Sequence, residues 1–249
     1  MEILISIYIF IMGMLLSSFY GVLAMRIPHK ESILGRSYCP KCHHQLKFID
    51  VLPIIGFVIN KGRCRDCKEK IPMIYVWIEI IGGLLFLLSY VLFGFSLNFF
   101  ISIIMISVLM IESISDIEQM IVIDRIWMIG IIPLVIFRII EKEILTYLLS
   151  SFILFALLYA ISYIGSKVFK KEALGGGDIK LYIFIGFILT WQQGLISLFL
   201  ASFFGLIYGL IFQRINKVIP LVPFIACGVL ISFLYGQHMI DWYLNFLRM

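Results

Sequence analysis

The feature that most constrains this chain is a succession of apolar stretches too long and too frequent for a soluble core. Eight are read, approximately Ile3–Ala24, Met73–Phe93, Leu97–Ser115, Ile126–Ile140, Ile144–Gly165, Ile179–Trp191, Gly194–Gln213 and Val218–Gly236. A helix crossing the roughly 30 Å hydrocarbon core needs about 20 residues. Eight would use about 160 positions, which leaves room in 249 residues for one loop domain. Composition agrees: 62% of residues are hydrophobic and 14% charged, where a soluble domain carries about a quarter charged. With 22 phenylalanines and so little charge, a disordered chain is excluded. A β-barrel would need short alternating strands instead of continuous runs. The expected fold is therefore an all-α polytopic membrane protein of about eight transmembrane helices. The fourth and sixth segments are short for a span, so they thin the bilayer, borrow flanking residues or lie partly buried in the bundle. The first has no basic n-region, only Glu2, and is too long for a signal h-region, so it reads as an uncleaved anchor.

Lys and Arg give the orientation. The loop from Arg26 to Lys70 holds 10 of the 20. With that loop in the cytoplasm, Arg125, the group Lys167, Lys170, Lys171 and Lys180, and the pair Arg214 and Lys217 also fall inside. Only Arg138, Lys142 and Arg248 fall outside, a 17-to-3 split that supports span count and orientation together. Both termini then lie outside. The net charge of +5 reflects this bias and gives no reason to invoke nucleic acid.

Four cysteines fall in that first loop, as Cys39-Pro-Lys-Cys42 and Cys64-Arg-Asp-Cys67. Each CxxC presents two thiolates from a tight knuckle, and two knuckles complete a tetrahedral zinc site. The 21 residues between them are slightly more than the usual spacing of such ribbons. A reducing cytoplasm disfavours a structural disulfide pair, and metal would supply much of the folding energy of so small a loop. The expected element is a zinc-ribbon-like loop with Cys39, Cys42, Cys64 and Cys67 as ligands. The rivals are a thiol redox relay and four unliganded thiols. His43 and His44 are read as solvated or as supporting the ligands, and Cys227 as a small apolar side chain.

Acidic residues inside spans cost about 2.5–3.5 kcal/mol each at mid-bilayer and usually face the bundle interior. Here they are Glu79, Glu112, Asp116 and Asp178. Asp116 falls at the cytoplasmic end of the third segment, and Asp178 at the cytoplasmic start of the sixth, directly after Gly175-Gly176-Gly177. The topology puts both at one depth on one side, which hints at a paired-aspartate site. Two close aspartates share a proton and titrate as a unit. The ionised member activates water, while the protonated one polarises a carbonyl and later serves the leaving amine. The glycines allow close approach of a partner helix or of a substrate strand. Three plainer readings stay open: an N-terminal Asp cap after a glycine loop, a phosphate cradle, or an Asp116 that merely ends its span. Glu112, four residues before Asp116 on the same face, is given no role, and neither is Glu79.

Four segments, in order, then carry a more specific pattern: Gly13 to Pro28, with its Arg26-x-Pro28 exit; Cys39 to Cys67 with Asp50, Pro53 and Gly62-Arg63 between, running on to Ile71-Pro72 and Glu79; Asp116-Ile-Glu-Gln-Met-Ile-Val-Ile-Asp124; and Gly175-Gly-Gly-Asp178-Ile-Lys180-Leu. This chain resembles the bacterial type IV prepilin peptidases, membrane aspartic peptidases of the Gly-x-Gly-Asp type, over nearly its whole length. It departs at Gly21, where the family usually has Asn, at Ile123, where Pro usually precedes the later aspartate, and at Tyr75-Val76, where Tyr-Pro is usual.

The resemblance implies Asp116 and Asp178 as the catalytic pair, with Gly175, Gly176, Gly177 and Lys180 supporting them. It implies cleavage of prepilins or pseudopilins after a Gly, on the cytoplasmic side. It also implies methylation of the new N-terminal residue, commonly Phe, from S-adenosylmethionine. Residues 1–93 would form the N-terminal region associated with methylation, and residues 94–249 a six-helix peptidase domain. No Gly-x-Gly-x-x-Gly fingerprint marks a cofactor site. The competing classes are a membrane thiol–quinone redox enzyme and a transporter with the aspartates as an ion relay.

Overall fold

The computed structural model describes residues 1–170, 174–212 and 219–247. Lys171, Arg214, Lys217 and Arg248 of the charge reading, and the segment ends Gln213 and Val218, lie outside the described residues. Within them the chain is all helical, with isolated bridges in place of strands. It divides into two compact units, Met1–Ile111 and Glu112–Met249.

In the first unit, α1 (Glu2–Arg26) and α4 (Ile74–Phe93) are long apolar helices that pack on each other through small residues. A methyl group on Gly13 would come within 2.8 Å of Phe86, and one on Gly82 would overlap Ser17. Small residues let backbones approach where no hydrophobic effect drives helices together. Tyr20 bonds Ser107 at 2.6 Å, which ties α1 to the first part of α5 (Leu97–Gln119). Between α1 and α4 runs the polar loop, with the short helices α2 (Phe48–Val51) and α3 (Ile55–Ile59).

The second unit holds the last turns of α5, then α6 (Asp124–Ile140), α7 (Ile144–Phe169), α8 (Gly176–Gly186), α9 (Trp191–Ile211) and α10 (Val222–Leu247). Among the described residues, six helices are long and apolar enough to cross a membrane: α1, α4, α5, α7, α9 and α10. The fourth and sixth apolar segments fall short, as the 17-residue α6 and the 11-residue α8, so the expected count of eight full spans is not reached.

The physical reason is clearest at α8. Leu181, Phe184 and Ile185 have no solvent exposure, and a helix apolar all round is a buried one. It ends at Gly186, which lies against the Ser151 backbone, while the Ser151 hydroxyl donates to the Ile183 carbonyl at 2.8 Å. Beyond that end, the buried Arg138 donates to the carbonyls of Phe187 at 3.0 Å and Ile188 at 2.9 Å. Its charge is met by Glu141 at 2.6 Å and by the Tyr147 ring. A short helix can stop inside protein only where such donors satisfy its last carbonyls. Arg138, one of the three cations assigned by the charge pattern to the outer side, is thus a buried cap in the fold.

Candidate active site and metal site

The two CxxC knuckles fold alike. In each, the residue four after the first cysteine adopts a left-handed conformation, His43 at φ 55° and Lys68 at φ 59°. The chain then returns its backbone to that cysteine: Cys39 N–H donates to the His44 carbonyl at 3.0 Å, and Cys64 N–H to the Glu69 carbonyl at 2.8 Å. The four sulfur atoms lie within 4.8 Å of one another, with Cys39 and Cys67 at 3.8 Å and Cys42 and Cys64 at 3.9 Å. Zinc–sulfur bonds of about 2.3 Å in a tetrahedron set sulfurs about 3.8 Å apart, so the donor set fits a zinc ion. The backbone N–H of Cys42 holds the Cys39 thiol down at about 7, and that of Asp66 holds Cys64 below the usual thiol range. Both favour the thiolate that a metal needs.

Polar contacts that leave no mark in sequence spacing fix the loop around this cluster. Arg26, the last residue of α1, donates to the carbonyls of Ser32, Gly35 and Arg36. The Asp50 carboxylate accepts from Asn60 at 2.8 Å and from the Lys47 N–H at 2.9 Å, and pairs with Arg65 at 2.9 Å. The Asn60 bond leads in holding Asp50 below the ordinary carboxylate range. Glu79 on α4 accepts from the Ile54 N–H at 2.9 Å, where the backbone turns through φ 60°. This gives Glu79 a place that the sequence left open: it fastens the loop to a membrane helix.

In the second unit, α5 carries Asp116 one turn before its end and stops at Met120, whose left-handed backbone bonds back to the Asp116 carbonyl at 3.0 Å. Each of the next four residues is held. Ser115 donates to the Ile121 carbonyl at 2.7 Å. Val122 packs against Gly177, so closely that a methyl there would come within 2.7 Å of its Cβ. Ile123 N–H donates to Glu112 at 2.7 Å, and Asp124 pairs with Lys180 at 2.8 Å. The departure at Ile123 is thus structural: proline has no N–H to give, and Glu112, with no solvent exposure, accepts the one that Ile123 supplies.

Asp178 is the third residue of α8, with Gly175 in the N-cap position, so these contacts carry the start of α8 to the end of α5. Asp116 is 6% exposed and Asp178 half-buried. Among the described residues neither carboxylate pairs with a cation. Two acids that share a proton can act as general base and general acid together. The predicted site residues thus form two groups: the four cysteines in the first unit, and Asp116, Asp178, Gly177 and Lys180 in the second. A methyl group on Gly176 would meet open space. Glu112 was visible only as an acid in an apolar run, while Asp124 and Glu79 stood in the family-like segments without an assigned role.

Sequence comparison matches two family models to the chain. The Bacterial Peptidase A24 N-terminal domain matches residues 11–93, and the Type IV leader peptidase family matches residues 103–210. The chain is 32% identical over 248 residues to a prepilin leader peptidase/N-methyltransferase of Bacillus subtilis, covering 95% of this chain and 97% of that one. A Myxococcus xanthus protein of the same description is 29% identical, covering 84% of this chain and 63% of its own length. A type 4 prepilin-like proteins leader peptide-processing enzyme of Escherichia coli is also 29% identical, with coverages of 87% and 88%. No solved structure matches the chain significantly.

Proposed function

We infer, from the premise that this chain belongs to the type IV leader peptidase family, that it removes the leader of prepilins or pseudopilins with Asp116 and Asp178 as the catalytic pair. One observation carries the assignment: the turn after Asp116 and the start of the helix that carries Asp178 are joined through Val122–Gly177 and Asp124–Lys180. In the step this permits, the ionised aspartate takes a proton from water as its oxygen bonds to the scissile carbonyl carbon. The protonated partner passes its proton to the carbonyl oxygen. Collapse of the diol breaks the C–N bond. The first aspartate then protonates the leaving nitrogen, and a diol hydroxyl returns a proton to the second.

Cleavage follows a Gly at the end of a basic leader, on the cytoplasmic face of the cell membrane. The clustering of Lys and Arg in the cysteine loop supports that sidedness, with both termini outside. Residues 1–93 form the region associated with methylation, and residues 94–249 the peptidase domain. Zinc on Cys39, Cys42, Cys64 and Cys67 holds the loop together. The names of the relatives support a second step, in which S-adenosylmethionine supplies a methyl group to the new N-terminal amine. The peptidase match and the tetrahedral sulfur spacing weigh against the ion-relay and thiol-redox alternatives.

The test uses purified protein in lipid and a substrate made of a basic leader, Gly, Phe and an apolar helix. Mass spectrometry reads the products with and without S-adenosylmethionine. Cleavage after Gly, lost in Asp116→Asn and in Asp178→Asn, is the expected result, followed by a gain of one methyl group. A folded wild-type protein that leaves such substrates whole, or variants that still cut, would overturn the reading.

A further inference from the structure

The peptidase family match ends at residue 210, yet a contact to Asp116 comes from beyond it. The Val222 N–H donates to Asp116 Oδ2 at 2.9 Å. Val222 is the first residue of α10, where the opening N–H groups have no partner within the helix. Pro223 follows it, and proline has no N–H to offer. The Phe224 and Ile225 N–H groups turn back to the Leu221 carbonyl, each at 3.0 Å. Val222 is thus the donor left free in this turn, and it goes to Asp116.

The first turn does not float. Val222, Ile225 and Val229 have no solvent exposure. A methyl group on Gly228 would collide with the Ser197 carbonyl of α9. Ser232 donates to the Gln193 carbonyl of α9 at 2.6 Å. α10 is therefore registered along α9, and its first N–H is presented to Asp116 as a fixed dipole. Asp178 receives no such donor among the described residues.

We propose that the first turn of α10, through the backbone N–H of Val222, is a positioning element of the active site that orients Asp116 as the ionised member of the pair. The proposal rests on the peptidase reading and adds a component to it. Charge-assisted bonds from fixed N–H groups, reinforced by the positive end of a helix dipole, stabilise a carboxylate over its acid form. With Oδ2 so engaged, Oδ1 is the oxygen left to take the proton from water, and Asp178 is the member that lends a proton to the carbonyl.

Val222 is the first helical residue, a position where proline is accepted. Val222→Pro therefore removes the N–H, while Val222→Ala trims the side chain and keeps it. We expect Val222→Ala to cleave within about threefold of wild type, and Val222→Pro to lose about 10- to 100-fold in kcat with KM changed less than about twofold. Equal kcat for the two variants, both folded, would overturn the proposal. If Val222→Pro does not fold, hydrogen exchange decides: in Asp116→Ala the Val222 amide exchanges faster than in wild type, and unchanged exchange would overturn it as well. Wild-type cleavage and the Asp116→Asn variant, run alongside, report on the peptidase reading separately.

Discussion

The cysteine cluster and the aspartate pair are built on opposite plans. The cysteines come as two local knuckles, each four residues long and each folded by its own backbone. The aspartates stand alone in sequence, and the contacts that join their segments are long-range: Val122 on Gly177, Asp124 on Lys180, Val222 on Asp116. A metal can gather ligands from a loop with little core of its own. A pair of acids has no such organiser and must be aimed by the packing around it. The first plan depends on side-chain identity, the second on backbone placement.

The sharpest test of the contrast is removal of the acids. Asp116→Asn or Asp178→Asn should reduce cleavage by at least about a thousandfold, read by mass spectrometry, while metal content measured by elemental analysis stays at the wild-type level. Next comes the cluster. Cys42→Ser, or exhaustive chelation, should lower bound zinc about tenfold or more and abolish methyl transfer, with leader cleavage kept within a few-fold. Loss of both activities together would show that the two plans are not separable.

Smaller effects probe backbone placement. Gly177→Ala, whose methyl would meet Val122 at 2.7 Å, should lower kcat by about tenfold. Gly176→Ala, which has open space around it, should stay within about twofold. Equal effects would remove the Val122 contact from the account.

The smallest effect is expected from pH on the loop. Asp50 has a folded value below its unfolded value of 3.8. Its contribution to stability is therefore complete above the unfolded value, and is lost as pH falls through the folded one. Thermal unfolding of the wild-type loop should hold steady from pH 7 to about 5 and fall faster below about 4 than in Asp50→Asn. Parallel curves for the two proteins would take Asp50 out of the loop's support.

The same contrast explains what the sequence disclosed. CxxC spacing is a statement about neighbours, and the four cysteines it singled out come together in the fold. Asp116 and Asp178 were legible as acids at matched ends of apolar runs, and more firmly through the resemblance. What stayed hidden were partners whose donors are backbone: Ile123 for Glu112, Ile54 for Glu79, Val222 for Asp116. A main-chain N–H is the same at every residue and leaves no pattern. The helices were legible wherever length and apolarity agreed. They diverged at α8, because a short buried helix and a short span share one composition, and only Arg138, read as a cation outside the membrane, tells them apart.

That arginine also bears on how the chain is made. A helix of 11 residues is about 16 Å long, half of what a bilayer requires, and its bare carbonyls would find no water in lipid. α8 therefore cannot be released into the membrane by itself as it is synthesised. The groups that meet its end, Arg138, Glu141, Tyr147 and Ser151, all precede it in the chain, while Ser197 of α9, which meets Tyr182 on its side, follows. The residues that satisfy the end of α8 are thus translated before the helix that carries Asp178.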